Sequence, residues 1–306
     1  MNVIEWAVGQ IRLKFRAFEF FQKFGIHITP NHFYSPIPDT RILRARKDLW
    51  EEEMELVGVD LRIEEQLNLL ENVFVKFREE CDFPLNETSS QHEYYIKNNS
   101  FGLMPAIVLH CMIRHFTPKT IIEVGSGNST FVSARASLMN QSQGSSTRVI
   151  AIEPYPNQVL QEGFPGLSEL IPQKVEEVDI ESFSQLEEGD ILSIDSTHVV
   201  RMGGDVNFLY LKILPRLNNG VVVHIHDIFF PKNYPEFLIL GHQVFFTEQY
   251  LLQAFLTYNN RFEVLWCGSY MYLKYKEKLQ TTFPLREGLG FPQNYFSSSF
   301  WMRKIG

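Results

Sequence analysis

Two short stretches of this chain concentrate side chains capable of chemistry. Residues 193–199 read SIDSTHV, with Asp195 followed three positions later by His198. Residues 221–231 read VVVHIHDIFFP, with His224, His226 and Asp227. In each, an apolar run ends in ionisable groups, as happens where parallel strands deliver side chains to the carboxyl edge of a sheet. Two chemistries suit such a set. Asp195, Asp227 and His226 can hold a divalent ion such as Mg2+, which orients a substrate hydroxyl and lowers its pKa. Alternatively, His198 or His226 acts as a metal-free general base, with Asp227 beside it. A strand-end histidine is more often a hydrogen-bonded packing residue. That reading suits His224, which lies deeper in its apolar run; His198 and His226 stand outside the strand ends and are the catalytic candidates.

A third stretch, TIIEVGSGNST at residues 120–130, points to a cofactor. An apolar strand delivers Glu123, and Gly125, Ser126 and Gly127 then turn the chain into a helix. Glycines allow close backbone approach, and the helix N-terminus offers unpaired N–H groups, with Ser129 and Thr130 in its first turn. Thr130 stands where a dinucleotide fingerprint has its third glycine. A carboxylate at Glu123 suits the ammonium and sulfonium groups of S-adenosylmethionine (SAM) better than a pyrophosphate. One βαβ step later, RVIAIEPYP ends in Glu153 and Pro154, and an acid there can accept both ribose hydroxyls.

These residues need a frame. Short apolar runs predict strands at Thr120–Val124, Val149–Glu153, Lys174–Val178, Asp190–Ile194 and Val221–His226, with helices near 129–139, 156–163 and 206–217 between them. Near-continuous apolar strands such as VVVHI suit a parallel sheet covered on both faces, hence a doubly wound α/β fold. A helix is expected near 247–258, then strands at Phe262–Cys267 and Ser299–Arg303 separated by a long aromatic loop. Upstream, residues 26–45 read as an extended proline-containing loop, residues 47–81 and 103–115 as helical, and 82–99 as turn-rich. The aromatic segments 31–38 (with His32 and Tyr34), 229–234 and 281–296 are candidates for lining an acceptor pocket or for packing.

The blocks EVGSGNST, AIEPYP, VEEVD and DILSID resemble, in order and spacing, the signature blocks of class I SAM-dependent methyltransferases. The nearest likeness is to bacterial O-methyltransferases acting on small molecules and saccharides. The resemblance covers roughly residues 98–230. It implies a Rossmann-like seven-stranded, mostly parallel sheet whose last two strands form a hairpin. It also implies that Gly125, Ser126 and Gly127 face the methionine part of SAM, that Glu153 holds the ribose, and that Glu176 and Glu177 lie beside the adenine. Asp195 and Ser196 would complete the cofactor side. In metal-dependent members an Asp ends the fourth strand and a basic residue follows three positions on, matching Asp195 and His198. Those members carry Asp-Asn or Asp-Asp after the fifth strand, where this chain has His226-Asp227-Ile228.

The chain has 306 residues, 44% of them hydrophobic, with a net charge of −8. The expected organisation is an N-terminal helical cap over residues 1–90 and a SAM-binding domain over 91–306. The acidic balance argues against a nucleic-acid partner, and a small-molecule or saccharide acceptor is expected instead. An odd, sparse set of cysteines (Cys81, Cys111, Cys267) fits a reducing compartment, and no apolar run is long enough to span a membrane. The expected location is therefore cytoplasmic. At the N-terminus, Ile4, Val8, Ile11, Phe15, Phe18 and Phe21 recur at helical spacing among basic residues. Such a stripe docks on its own domain or on a second subunit, giving a homo-oligomer, or lies on a membrane surface. Two other functional classes compete: a SAM-binding protein without transferase activity, and an NAD-dependent oxidoreductase, which Glu123 and Thr130 disfavour.

Overall fold

The computed structural model describes residues 18–29, 31–284, 286–290 and 296–306. The apolar stripe proposed for the N-terminus lies largely outside them. Seven strands form one sheet: β1 (Thr120–Val124), β2 (Arg148–Ile152), β3 (Glu169–Ile171), β4 (Ile191–Ile194), β5 (Val222–Ile225), β6 (Phe262–Cys267) and β7 (Phe300–Lys304). Their order is β3-β2-β1-β4-β5-β7-β6. β1 to β5 pair in parallel, whereas β7 runs antiparallel to both β5 and β6.

The two-residue period of a strand sorts the apolar residues between two cores. Ile121, Val149, Ile191, Val222 and Trp301 pack on one face, with the helices Leu103–Phe116 and Asn128–Ser142. Ile122, Ile150, Leu192, Val223 and Met302 pack on the other, with the helical segments Asp205–Arg216 and Glu248–Leu256. Because both faces are covered, the central strands carry few polar side chains, and those they carry are paired. Ser193 of β4 stands beside His224 of β5, which stands beside Trp301 of β7.

The helix Leu103–Phe116 is buried from Leu103 to Arg114, so it is a core element rather than a surface one. It stops where Thr117 turns into the left-handed region at φ 45°, just before Pro118. At the other end of the sheet, the reversal of strand order between β1 and β4 opens the crevice in which such folds place their ligands.

Several expectations are corrected. The third strand is Glu169–Ile171; residues 175–177, expected as strand, form a 3-10 turn instead. An edge strand of this length has one neighbour and needs no apolar run. Thr40–Ala45, expected as extended, is a helix whose N-cap is Asp39, the side chain accepting from the Arg41 N–H. The segment between β6 and β7 contains two helices, Gly268–Lys274 and Lys276–Thr282. The chain divides into two compact units at Leu49/Trp50. Among the described residues no helix is long and apolar enough to cross a membrane.

Candidate active site

β1 ends in Val124, and Gly125 turns away from the sheet at φ +80°. A Cβ built there would sit 1.8 Å from the backbone oxygen of Asp195. Only glycine therefore lets the β1 turn and the β4 end approach so closely. The Asp195 N–H donates to the Val124 carbonyl at 2.8 Å, which fixes the two strand ends together. After β2, Glu153 accepts from the Ser126 N–H at 3.2 Å and from the Tyr155 N–H at 2.8 Å. Its carboxylate is thus bonded directly to the glycine turn.

These groups line a cavity of about 350 Å³. Of the expected cofactor residues, Gly125, Glu153, Pro154, Glu176, Asp195 and Ser196 are on its wall. Tyr155, Lys174, Thr197, Arg201 and Asp205 are there as well, and were not anticipated. Thr197 donates through both its N–H and its hydroxyl to Asp205, at 2.8 and 2.7 Å, which folds the segment after β4 against the next helix. The hydroxyls of Ser126 and Ser196 have no hydrogen-bond partner among the described residues. A cavity lined by a glycine turn, an acid bonded to it and the spare Ser196 hydroxyl at a strand end fits an adenosine-bearing cofactor.

Glu123, Ser126, Gly127, Ser129, Thr130 and Glu177 are not on that wall. Glu123 is completely buried and turned into the first helical turn, where the hydroxyls of Ser129 and Thr130 donate to Oε1. Burial pushes its carboxyl up to about 7, against the pull of those hydroxyls. Thr130 also accepts the Gly127 N–H at 3.0 Å. In this structure the acid is a brace for the glycine turn rather than a group exposed to ligand.

At the chemical end, His198 and Asp227 are non-glycine residues in the left-handed region, at φ 58° and 54°. Such backbone strain at two adjoining strand ends persists only where surrounding contacts enforce it. For His198 the contacts are visible: its carbonyl accepts from the N–H groups of Thr247 and Glu248, at 2.8 and 3.0 Å, where the helix Glu248–Leu256 begins.

Both ring nitrogens of His198 face carboxylates. Nδ1 lies 2.7 Å from Glu248 Oε2, and Nε2 lies 3.2 Å from Asp195 Oδ1 and 3.8 Å from Asp227 Oδ2. Burial disfavours the imidazolium, but the bonds to Asp195 and Glu248 outweigh it and raise the His198 pKa well above its ordinary value. Burial likewise opposes ionisation of Asp195, yet the imidazoles of His226 and His198 hold it at about 2. His198 is therefore a donor at both nitrogens and has no lone pair left for a substrate proton.

His226 differs. Its Nε2 is 3.6 Å from Asp227 Oδ1, while Nδ1 is buried with no partner among the described residues. The ring of Phe101 packs on it at 4.9 Å. Asp227 Oδ1 accepts from the Ser298 hydroxyl at 2.9 Å. His224 is a packing residue: Ser193 and Ser299 occupy its two nitrogens at 2.9 and 2.8 Å, and Trp301 stacks on its ring. Burial pushes its pKa down to about 3.

Among the described residues no three His, Cys, Asp or Glu side chains gather to hold a metal ion. Of the residues expected as ligands, Asp195 lies 3.2 Å from His198 Nε2, and Asp227 lies 3.8 Å from His198 Nε2 and 3.6 Å from His226 Nε2. Glu248 was missed by sequence reasoning. It lies 50 residues from its partner at the first position of the helix expected near 247–258, and no local spacing signals its pairing.

A family model described as "Methyltransferase domain" matches residues 122–228, which span β1 to the end of β5. An uncharacterised protein of Archaeoglobus fulgidus is 33% identical over 183 residues, covering 58% of this chain and 81% of that protein. Among solved structures, the O-methyltransferase TomG of Streptomyces achromogenes, in complex with SAM, aligns over 88% of this chain and 97% of its own. Its identity is 13% and its TM-score 0.38. CalS11, a TDP-rhamnose 3'-O-methyltransferase of calicheamicin biosynthesis, aligns over 63% and 89%, with 14% identity and a TM-score of 0.36.

Proposed function

This chain belongs to the class I SAM-dependent methyltransferases, and from that premise we propose that it methylates a hydroxyl group on a small molecule or saccharide. The observation that carries the reading is the juxtaposition at one sheet edge. The cavity between Gly125 and Glu153 reaches Asp195, and Asp195 bonds to His198, which faces Asp227. Asp195 thus links the cavity wall to the side chains at the neighbouring strand end.

In this reading the glycine turn and Ser126 hold the methionine part of SAM, Glu153 holds the ribose hydroxyls, and Glu176 borders the adenine. SAM supplies an already activated methyl group, so the chain's own task is to align the acceptor oxygen and take its proton. His226 is the base in this reading, because its buried Nδ1 has no partner among the described residues while both nitrogens of His198 face carboxylates. Asp227 steadies the His226 ring as the proton arrives. Phe101 and Phe246, packed on His226 and His198, keep water from the two imidazoles.

Small organic hydroxyls fit as acceptors better than nucleic acid, given the net charge of −8. The sparse cysteines support a cytoplasmic setting. The N-terminal apolar stripe supports self-association through that segment. Thermal-shift measurement with SAM, S-adenosylhomocysteine (SAH) and NAD tests the cofactor assignment: stabilisation by both SAM-type ligands and none by NAD is expected. A shift with NAD alone would overturn it. Acceptor class is then read from SAH release across a panel of phenols, sugars and nucleotide-sugars.

A further inference from the structure

We propose that Glu248 is a positioning residue that fixes His198 as a side-chain clamp across Asp195 and Asp227, in the position a divalent ion would otherwise take. The proposal rests on the reading of this site as a SAM-dependent one.

Glu248 is fully buried, and such an acid is costly unless its charge is matched. Its Oε2 accepts from His198 Nδ1 at 2.7 Å, while its own backbone N–H holds the His198 carbonyl at 3.0 Å. Side chain and main chain of one residue therefore grip side chain and main chain of another. The grip holds His198 in its left-handed conformation and aims Nε2 at Asp195, 3.2 Å away, with Asp227 at 3.8 Å. The ring of Phe246, 4.7 Å from that of His198, closes one side, so the imidazole has little room to rotate.

The consequence concerns both strand ends. Asp195 lies on the cavity wall and its backbone oxygen abuts Gly125, whereas Asp227 is beside His226. Two carboxylates at adjoining strand ends repel unless a cation or a donor stands between them. Here the donor belongs to the chain, and its aim is set by an acid on a helix outside the sheet. Loss of Glu248 frees His198 to turn away, and Asp195 then loses its orientation toward the cavity. Glu248 touches neither cofactor nor acceptor and acts only through His198.

The test uses the full chain and two independent readouts. First, Mn2+ is titrated into the wild-type protein and followed by electron paramagnetic resonance. The expected spectrum is that of the free hydrated ion. Stoichiometric Mn2+ uptake that Asp195→Asn abolishes would overturn the clamp. Second, SAH affinity is measured by calorimetry, in EDTA and in Mg2+, for wild type, Glu248→Gln and Glu248→Asp, each with its melting temperature.

Wild type is expected to bind equally in both buffers. Glu248→Gln should bind SAH roughly tenfold more weakly, the scale of exchanging a charge-assisted hydrogen bond for a neutral one. Glu248→Asp should recover part of the loss. A Glu248→Gln protein that melts lower but binds SAH as wild type does would reduce Glu248 to a purely structural role and overturn the proposal. If Glu248→Gln does not fold, the Mn2+ titration of wild type still decides. Absence of SAH binding in every protein, wild type included, would instead overturn the cofactor reading, leaving the Mn2+ result to judge the clamp separately.

Discussion

The two halves of the crevice are built by different means. At the ends of β1 and β2 the working surface is mostly backbone: a glycine at φ +80°, N–H groups aimed at Glu153, and a buried acid bracing the turn from behind. At the ends of β4 and β5 it is side chain: an imidazole held among three carboxylates, and a second imidazole with a nitrogen to spare. A backbone site tolerates little change in chain path but depends on few side-chain identities. A side-chain site depends on every partner, because a buried charge left alone costs far more than the pair contributes.

Substitutions at the two ends should separate these behaviours. The largest effect is expected for Gly125→Ala, where the new methyl group meets the Asp195 carbonyl in a backbone conformation unfavourable to alanine. A loss of more than about 3 kcal/mol in unfolding free energy is expected. Urea denaturation measures it, and a near-native midpoint would mean that the turn can open.

Next comes His226→Ala, which should lower the methyl-transfer rate on the order of 10²-fold or more with SAH affinity little changed. If SAH release by His226→Ala stayed within about threefold of wild type, the base would have to be sought elsewhere. Glu153→Ala should weaken SAH roughly tenfold with stability barely affected, since the group is half-exposed. Unchanged SAH titration isotherms would remove Glu153 from the ribose.

The smallest effects are in the pH dependence of stability, and they carry opposite signs. Burial holds the His224 pKa near 3, below an unfolded value of about 6.5. Between these values the unfolded chain binds more protons, so the His224 contribution is complete above about pH 6.5 and is lost as pH falls. The His198 pKa is raised, so its contribution is complete below about pH 6.5 and fades as pH rises through the folded value. Melting temperatures of His224→Gln and wild type should therefore converge on acidification. Those of His198→Asn and wild type should converge on alkalinisation. Parallel curves across the range would dissociate either histidine from these environments.

The unequal legibility of the two halves follows from their construction. β1 and β6 have the bounds expected from their apolar runs, and the turn after Glu123 was recognisable because glycine spacing is a local property. β3 was misplaced by a few residues, since a short edge strand has no pattern strong enough to distinguish it from a 3-10 turn with valines at its margins. Glu123 was expected to meet the cofactor's positive charge, but position along a strand does not reveal which way a buried side chain turns. In the structure it meets Ser129 and Thr130.

The sequence by itself determined six of the seven strands, the glycine turn, the acid after β2 and the presence of Asp195, His198, His226 and Asp227 at neighbouring strand ends. All of these follow from residue type and short-range period. Only the tertiary structure decided which histidine is spoken for. That choice depends on Glu248, brought from 50 residues away to the buried nitrogen of His198 by a helix whose own sequence records only an amphipathic stripe. Contacts between distant segments arise from packing the whole sheet, so no local spacing can encode them.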